Sequence, residues 1–455
     1  MSTLMVLAAT SISTALGQPT ELYVDTKTQQ IFAVPGPGRV RMGSAMIAQG
    51  AKPAVRKPVK PTPSEYPPPQ KDAFGIPVNW YDRFSIRGYT QLRYTSLWDK
   101  SGADWFHPAD RTVAPDQTFL IRRGRLILSG DASDHLFLYA QGDMNASASE
   151  GDFSMQMRDL YGDIAFDTNK EFRLRVGQSK VPFGFVNLQS SQNRLALERA
   201  DAINSAAETE RDIGTFFMWA PKDIRERYAN LVRSGLKGSG DYGVLAVGAY
   251  SGQGPNRSDT NDSVHTLVRA AYPFKTEGGQ FFEAGVQAYT GKFVPRTRGF
   301  KLGDSDTETL PTFDANGVTD ERVGFSAIIY PQPIGLEAEW NIGRTPTLSD
   351  DYLTIDDEYM QGGYIQANAK IDTSSLGTIF PFVRWQYFDG ARKFARNAAA
   401  VLVDEWDFGV EVSPWKDVEF TAMYTYTLDR TNSNSFPYEN LTDGSRLGLQ
   451  VQINY

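Results

Sequence analysis

SRLGLQVQINY, residues 445–455, sorts its side chains by parity. Leu447, Leu449, Val451, Ile453 and Tyr455 fall on one side, and Arg446, Gly448, Gln450, Gln452 and Asn454 on the other. Successive side chains of a strand point to opposite faces, so the segment has an oily face and a wet face. Two architectures use such a strand. One is a half-buried strand of a soluble sandwich, and the other is the closing strand of a barrel with lipid outside and water inside.

The pattern recurs along the chain. In 417–429, Val418, Phe420, Ala422, Tyr424, Tyr426 and Leu428 alternate with Glu419, Thr421, Met423, Thr425, Thr427 and Asp429. Leu336, Ala338, Trp340 and Ile342 alternate with Glu337, Glu339, Asn341 and Gly343, and Trp406, Phe408 and Val410 with Glu405, Asp407, Gly409 and Glu411. Sixteen such segments are read near 84–98, 117–130, 134–146, 154–167, 171–182, 211–220, 242–252, 263–274, 279–293, 322–330, 334–344, 358–371, 378–391, 403–413, 416–430 and 445–455. Soluble strands run about 5–6 residues, whereas a tilted strand crossing a bilayer needs about 9–11. Short connections (129–133, 167–170, 274–279, 330–335, 413–417) alternate with long ones (99–116, 183–210, 294–321, 345–357, 431–444), the asymmetry of an outer-membrane barrel. The connection 221–241 should be short and is not, which suggests two strands extended into a long hairpin. The fold class is therefore all-β, a transmembrane antiparallel β-barrel of sixteen strands enclosing a water-filled channel. The last strand is expected to pair with the first, because an unpaired backbone group in lipid costs several kcal/mol.

Composition agrees. With 41% hydrophobic residues and a mean hydropathy of −0.39 the chain looks soluble, as barrels do when only alternate residues meet lipid. No run of about 18 apolar residues follows the start of the chain, which excludes a spanning helix. There is no cysteine, hence no disulfide or thiolate metal site, and a net charge of −8 argues against nucleic acid as a partner. Residues 1–17 read as a signal peptide, 18–51 as a small β-prone segment, 52–79 as a proline-rich basic linker placed in the periplasm, and 80–455 as the barrel.

FLIRRGRLILSG (119–130), FRLRVGQSKVPFGF (172–185), SSQNRLALERA (190–200), RDIG (211–214) and PFVRWQYFDG (381–390) together resemble the phosphate-selective porin O/P family of Gram-negative outer membranes. The terminal aromatic resembles the assembly signal of such barrels. The resemblance implies a trimeric channel passing anions such as phosphate past arginine and lysine side chains, with lipid and lipopolysaccharide around it. It also implies that the loop after the fifth strand, 183–210, folds inward, its SSQNRLALERADAI stretch forming a short helix. That loop holds Arg194 and Arg199 but no lysine. Parity places Arg173, Arg175, Arg384, Arg446 and Lys370 on the wet face, joined by Arg123 and Arg125 because Leu126 and Leu128 want lipid. Arg122 is then on the wrong parity, which calls for a bulge or a different register. These nine, counting Arg194 and Arg199, are the candidate channel-lining and anion-binding residues. Each arginine has an alternative reading, as the partner of a carboxylate on a neighbouring strand.

Evidence for catalysis is thin. His107, His135 and His265 are scattered, with no metal-ligating spacing and no serine or carboxylate placed for nucleophilic work. Gly238-Ser239-Gly240-Asp241-Tyr242-Gly243 matches GxGxxG, but it precedes the alternating VLAVGAYSG rather than a helix, so it reads as a turn. The expectation is a diffusion channel for small hydrophilic solutes, with no cofactor and no reaction. The alternatives are a general or cation-tolerant porin and a secreted β-rich carbohydrate-binding protein.

Overall fold

The computed structural model describes residues 23–25, 31–32, 39–41, 83–100, 110, 112–113, 118–146, 153–302, 307–431 and 441–455. The leader expected over 1–17 and the linker over 52–79 lie outside them. The chain divides into two compact units, 1–67 and 68–455. In the first, strands Tyr23–Asp25, Ile31–Phe32 and Arg39–Arg41 form a small antiparallel sheet.

The second unit is a closed antiparallel barrel. Its strands are β1 (Phe84–Lys100), β2 (Thr118–Asp131), β3 (Leu136–Ala146), β4 (Phe153–Ala165), β5 (Phe172–Lys180), β6 (Arg211–Trp219), β7 (Leu245–Tyr250) and β8 (His265–Lys275). Then follow β9 (Phe281–Phe293), β10 (Val318–Ile329), β11 (Ile334–Leu348), β12 (Ile355–Ala369, continued by Ile371–Thr373), β13 (Gly377–Ala391), β14 (Ala400–Trp415), β15 (Val418–Thr431) and β16 (Leu441–Asn454). All sixteen expected strands are present. The connection expected over 345–357 shrinks to 349–354, because β11 and β12 run further than their alternation suggested.

Closure is the β16–β1 pairing, with Leu449 opposite Tyr94 and Ile453 opposite Thr90. Just past the strand, the Tyr455 amide donates to the Gly88 carbonyl at 3.0 Å, and the Gly88 amide to the Tyr455 carbonyl at 2.6 Å. A Cβ on Gly88 would collide with the Tyr455 ring and the Arg125 carbonyl, so glycine there is what lets the terminal aromatic lie flat on the seam. Leu126, Leu128, Val268, Phe325, Trp406 and Phe408 are exposed on the outer face, where a membrane barrel meets lipid. Trp340 and Tyr387 flank Gly363 in register and stack across it at 6.2 Å. Those rings cover a site with no side chain of its own.

Two bulges correct the parity count. Gln91 pairs with Arg123 and Leu92 with Ile121, which leaves Arg122 as the extra residue of β2. Gln141 pairs with Asp159 and Gly142 with Met157, which leaves Arg158 as the extra residue of β4. Both arginines are buried and carboxylate-bound. A bulge re-aims a side chain, and here each adds a guanidinium to the interior.

The connection after β6 is not a long hairpin. It folds as a helix, α3 (Lys222–Arg233), followed by an irregular strap to β7. Pro221 precedes the first turn, Asp223 lies within it, and Arg233 closes the last turn, each favourable for the helix dipole or start. Ile224, Tyr228 and Leu231 form a buried stripe, and Tyr228 Oη donates to the Ala271 carbonyl at 3.0 Å. Gly235 takes φ 66°, the left-handed stop expected of a residue after the helix cap.

The Gly88–Tyr455 contact carries a test. Gly88→Val, although β-branched and suited to strands, should lower the fraction of chain reaching the heat-modifiable, folded form on a gel. Leu92→Val on the same face should leave it unchanged. Equal yields would mean that the terminal aromatic does not need its seat on β1.

Candidate solute pathway

After β5 the chain does not return directly. Residues 181–210 cross the lumen and are held on nearly every side. Two short α-helical turns form there, α1 (Phe185–Leu188) and α2 (Asp201–Asn204), with a 3-10 turn at Glu208–Glu210. The helix expected through SSQNRLALERADAI is absent apart from α2, for a physical reason: its carbonyls are taken by arginines rather than by its own amides. Arg93 and Arg194 both donate to the Leu197 carbonyl at 3.0 Å, and Arg384 to that of Glu198 at 2.8 Å.

Glu198 is the hub. Its carboxylate takes Arg93 at 2.7 Å and Arg122 and Arg123 at 2.9 Å each, with Arg194 at 3.9 Å. Burial alone would raise its pKa, but Arg122, Arg123 and Arg93 hold the carboxyl well below the usual carboxylate range. A depressed carboxyl contributes to docking at neutral pH and loses that contribution only as pH falls through the lowered value. Across the lumen, Glu339 of β11 accepts from the Phe185 and Val186 amides at 2.5 and 2.7 Å, capping α1, and from Tyr364 at 3.0 Å. Arg322 and Asn341 donate to the Ala202 carbonyl at 3.1 Å, and Arg392 pairs with Asp201.

All eight arginines expected in the channel have a carboxylate within reach, and all are buried. Arg123 meets Glu198; Arg125 meets Asp143 at 3.3 Å; Arg173 meets Asp241 at 2.8 Å; Arg175 meets Asp163 at 2.7 Å. Arg194 meets Glu198; Arg199 meets Glu210 at 2.6 Å; Arg384 meets Asp407 at 2.6 Å; Arg446 meets Glu405 at 3.8 Å. Lys370 is half-buried and donates to the Ser234 carbonyl at 3.0 Å. In this conformation, then, the arginines sit in a paired network and not in an open ring of free cations. Arg93 and Arg322 escaped the sequence reading although parity marks them. Arg158 has no such signal, and Arg122 shows only as a residue on the wrong parity, because bulges break the count.

The wall is electrically lopsided. Among the described residues, the buried charged side chains of β1–β6 are nine cations and four carboxylates, an excess of five positive charges. Those described in β8–β16, His265 left aside, are four arginines and seven carboxylates, an excess of three negative charges. The crossing segments supply the missing sign on each side. Glu198, Glu210 and Asp241 face the basic half, while Lys237 meets Glu411 and Lys393 meets Asp320 on the acidic half. Among the described residues no cluster of metal-ligating side chains occurs.

Residues 97–455 match the family model described as phosphate-selective porin O and P. No curated protein sequence matches the chain. Among solved structures it is similar to Salmonella typhi OmpF in complex with daunomycin, at 11% identity and TM-score 0.51 over 82% of this chain and 97% of that one. It is also similar to Pseudomonas putida OprB at high pH, at 7% identity and TM-score 0.50 over 82% and 94%. These likenesses concern the barrel fold.

Removing one partner of a buried pair leaves an uncompensated charge and costs about 3–5 kcal/mol. Glu198→Gln should therefore loosen residues 181–210 while the barrel stays folded. Trypsin should then nick the heat-modifiable barrel after Arg194 or Arg199, and spare the parent protein. Resistance in both would show that the hub is not what holds the segment.

Proposed function

The chain belongs to the phosphate-selective porin O and P family, and from that footing we propose that it is an outer-membrane porin favouring small oxyanions, phosphate among them, over cations. The chain is a channel and not an enzyme, as the family is. The observation that carries the preference is the five-charge cationic excess of β1–β6. Rings and stripes of basic side chains favour anions in pores. A tetrahedral oxyanion offers guanidiniums the same forked acceptor that Glu198 offers, so it can exchange with a carboxylate without leaving a cation bare. Three copies assembled side by side, with the proline-rich 52–79 as a periplasmic spacer, complete the reading.

The acidic excess of β8–β16 and the net charge of −8 favour a second reading, a general or cation-tolerant porin of the same architecture.

The reversal potential of purified channels under a KCl gradient separates the two. The expected result is a chloride-favouring potential with current blocked by added phosphate. The preference should fade at high salt, because charges are screened beyond about 10 Å at 0.1 M and about 3 Å at 1 M. Arg123→Gln combined with Arg125→Gln should move the potential toward potassium. A potassium-favouring potential in the parent protein would establish the second reading.

A further inference from the structure

A second segment crosses the pore at the other end. The strap that follows α3, residues 234–244, belongs to the short-turn connection between β6 and β7; it starts beside Lys370 of β12, reaches β14 and returns to β7. In a ring of sixteen strands β7 and β14 stand seven apart and β6 and β14 eight, so the strap runs close to a diameter. Its far anchor is Lys237. The ammonium lies 2.5 Å from the Glu411 carboxylate of β14 and 4.7 Å from the centre of the Phe380 ring of β13. Its near anchor is Asp241, 2.8 Å from Arg173 and 2.9 Å from Arg225. Leu236 packs in a cluster with Phe185, Leu231, Phe281, Ile328 and Tyr330, and the Lys237 carbonyl accepts from Gln189 at 2.6 Å.

The backbone is built to make this crossing. Gly235, Lys237, Gly240 and Gly243 take φ of 66, 63, 98 and 82°. Three of these positive values fall on glycine, which adopts them without strain, and the fourth falls on the lysine itself. The glycine-rich 238–243, a turn by sequence, is thus the span that carries Lys237 across the mouth. The burial of Lys237 and Glu411 means that a solute cannot pass between them as they stand.

We propose that the strap is a second constriction in series with residues 181–210, and that the Lys237–Glu411 pair determines ionic specificity at the short-turn mouth. The inference rests on the porin reading above and adds a selectivity element to it. Glu419 of β15 lies on the same face as Glu411, two residues from Thr421, the register partner of Glu411. Lys237 is the cation bonded to Glu411 of this carboxylate pair, while Lys370 is taken up by the Ser234 carbonyl at the start of the strap. Removal of Lys237 leaves a negative mouth, and neutralising Glu411 leaves a more positive one.

The test is single-channel recording in planar bilayers of the parent protein, Lys237→Met, Glu411→Gln and the double variant. Lys237→Met should shift the potassium-to-chloride permeability ratio severalfold toward potassium, and Glu411→Gln severalfold toward chloride. The double variant should return toward the parent ratio with a larger conductance than the parent, because the strap is then unlatched. A merely structural role would move both single variants the same way. Lys237→Cys adds a control in single channels, since the chain has no other cysteine. A cationic thiol reagent should restore the parent ratio, and an anionic one should push it further toward potassium. Conducting parent channels with unchanged ratios in every variant would overturn the strap proposal and leave the porin reading standing. A folded parent protein with no conductance would overturn both.

Discussion

A carboxylate from a crossing segment meeting three guanidiniums from the wall is the interaction on which the interior depends. Without Glu198, the Arg93, Arg122 and Arg123 charges would be left with Asp110 alone, 3.2 Å from Arg93 and 4.0 Å from Arg122. The cost of taking an ion out of water is several kcal/mol even after relaxation, and like charges add to it. The wall could not carry its arginines at this density unless something acidic crossed the lumen to meet them. The same logic runs the other way at Glu411 and Asp320, where lysines from connecting segments supply the counter-charge. Barrel and inserts are therefore one electrostatic unit, although the hydrogen-bonded barrel wall closes without the inserts.

That division explains what could be read from sequence. Alternation is local, so it revealed every strand, the wet-face positions of Arg123, Arg125, Arg173, Arg175, Arg384 and Arg446, and the Arg122 bulge as a break in count. The partners are not local. Arg93 and Glu198 are 105 residues apart, and Lys237 and Glu411 are 174 apart. No periodicity links such pairs, so Lys237 and Lys393 carried no mark in the sequence. Helix α3 was missed for a different reason. Its buried stripe at Ile224, Tyr228 and Leu231 is short and lies between alternating segments, where the run of strands favoured a hairpin. The 190–200 run failed oppositely. It has good helix formers, but wall arginines claim its carbonyls, and tertiary bonding overrides propensity.

The pairing of every expected channel arginine bears on how such an interior can conduct. A free cation in a narrow, partly desolvated lumen would bind an anion tightly and release it slowly, whereas conduction needs binding weak enough to leave. A guanidinium already shared with Asp143, Asp163 or Asp407 presents an attenuated charge. An anion then competes with a resident carboxylate instead of filling a vacancy. On the proposed anion preference, the net force on it comes from what the crossing segments leave uncancelled of the imbalance between the halves of the wall, and not from any single side chain. Selectivity of this kind is distributed, so single arginine substitutions should tilt it without abolishing it. The crossing segments differ in this respect, because each places a few charges where all solutes must converge.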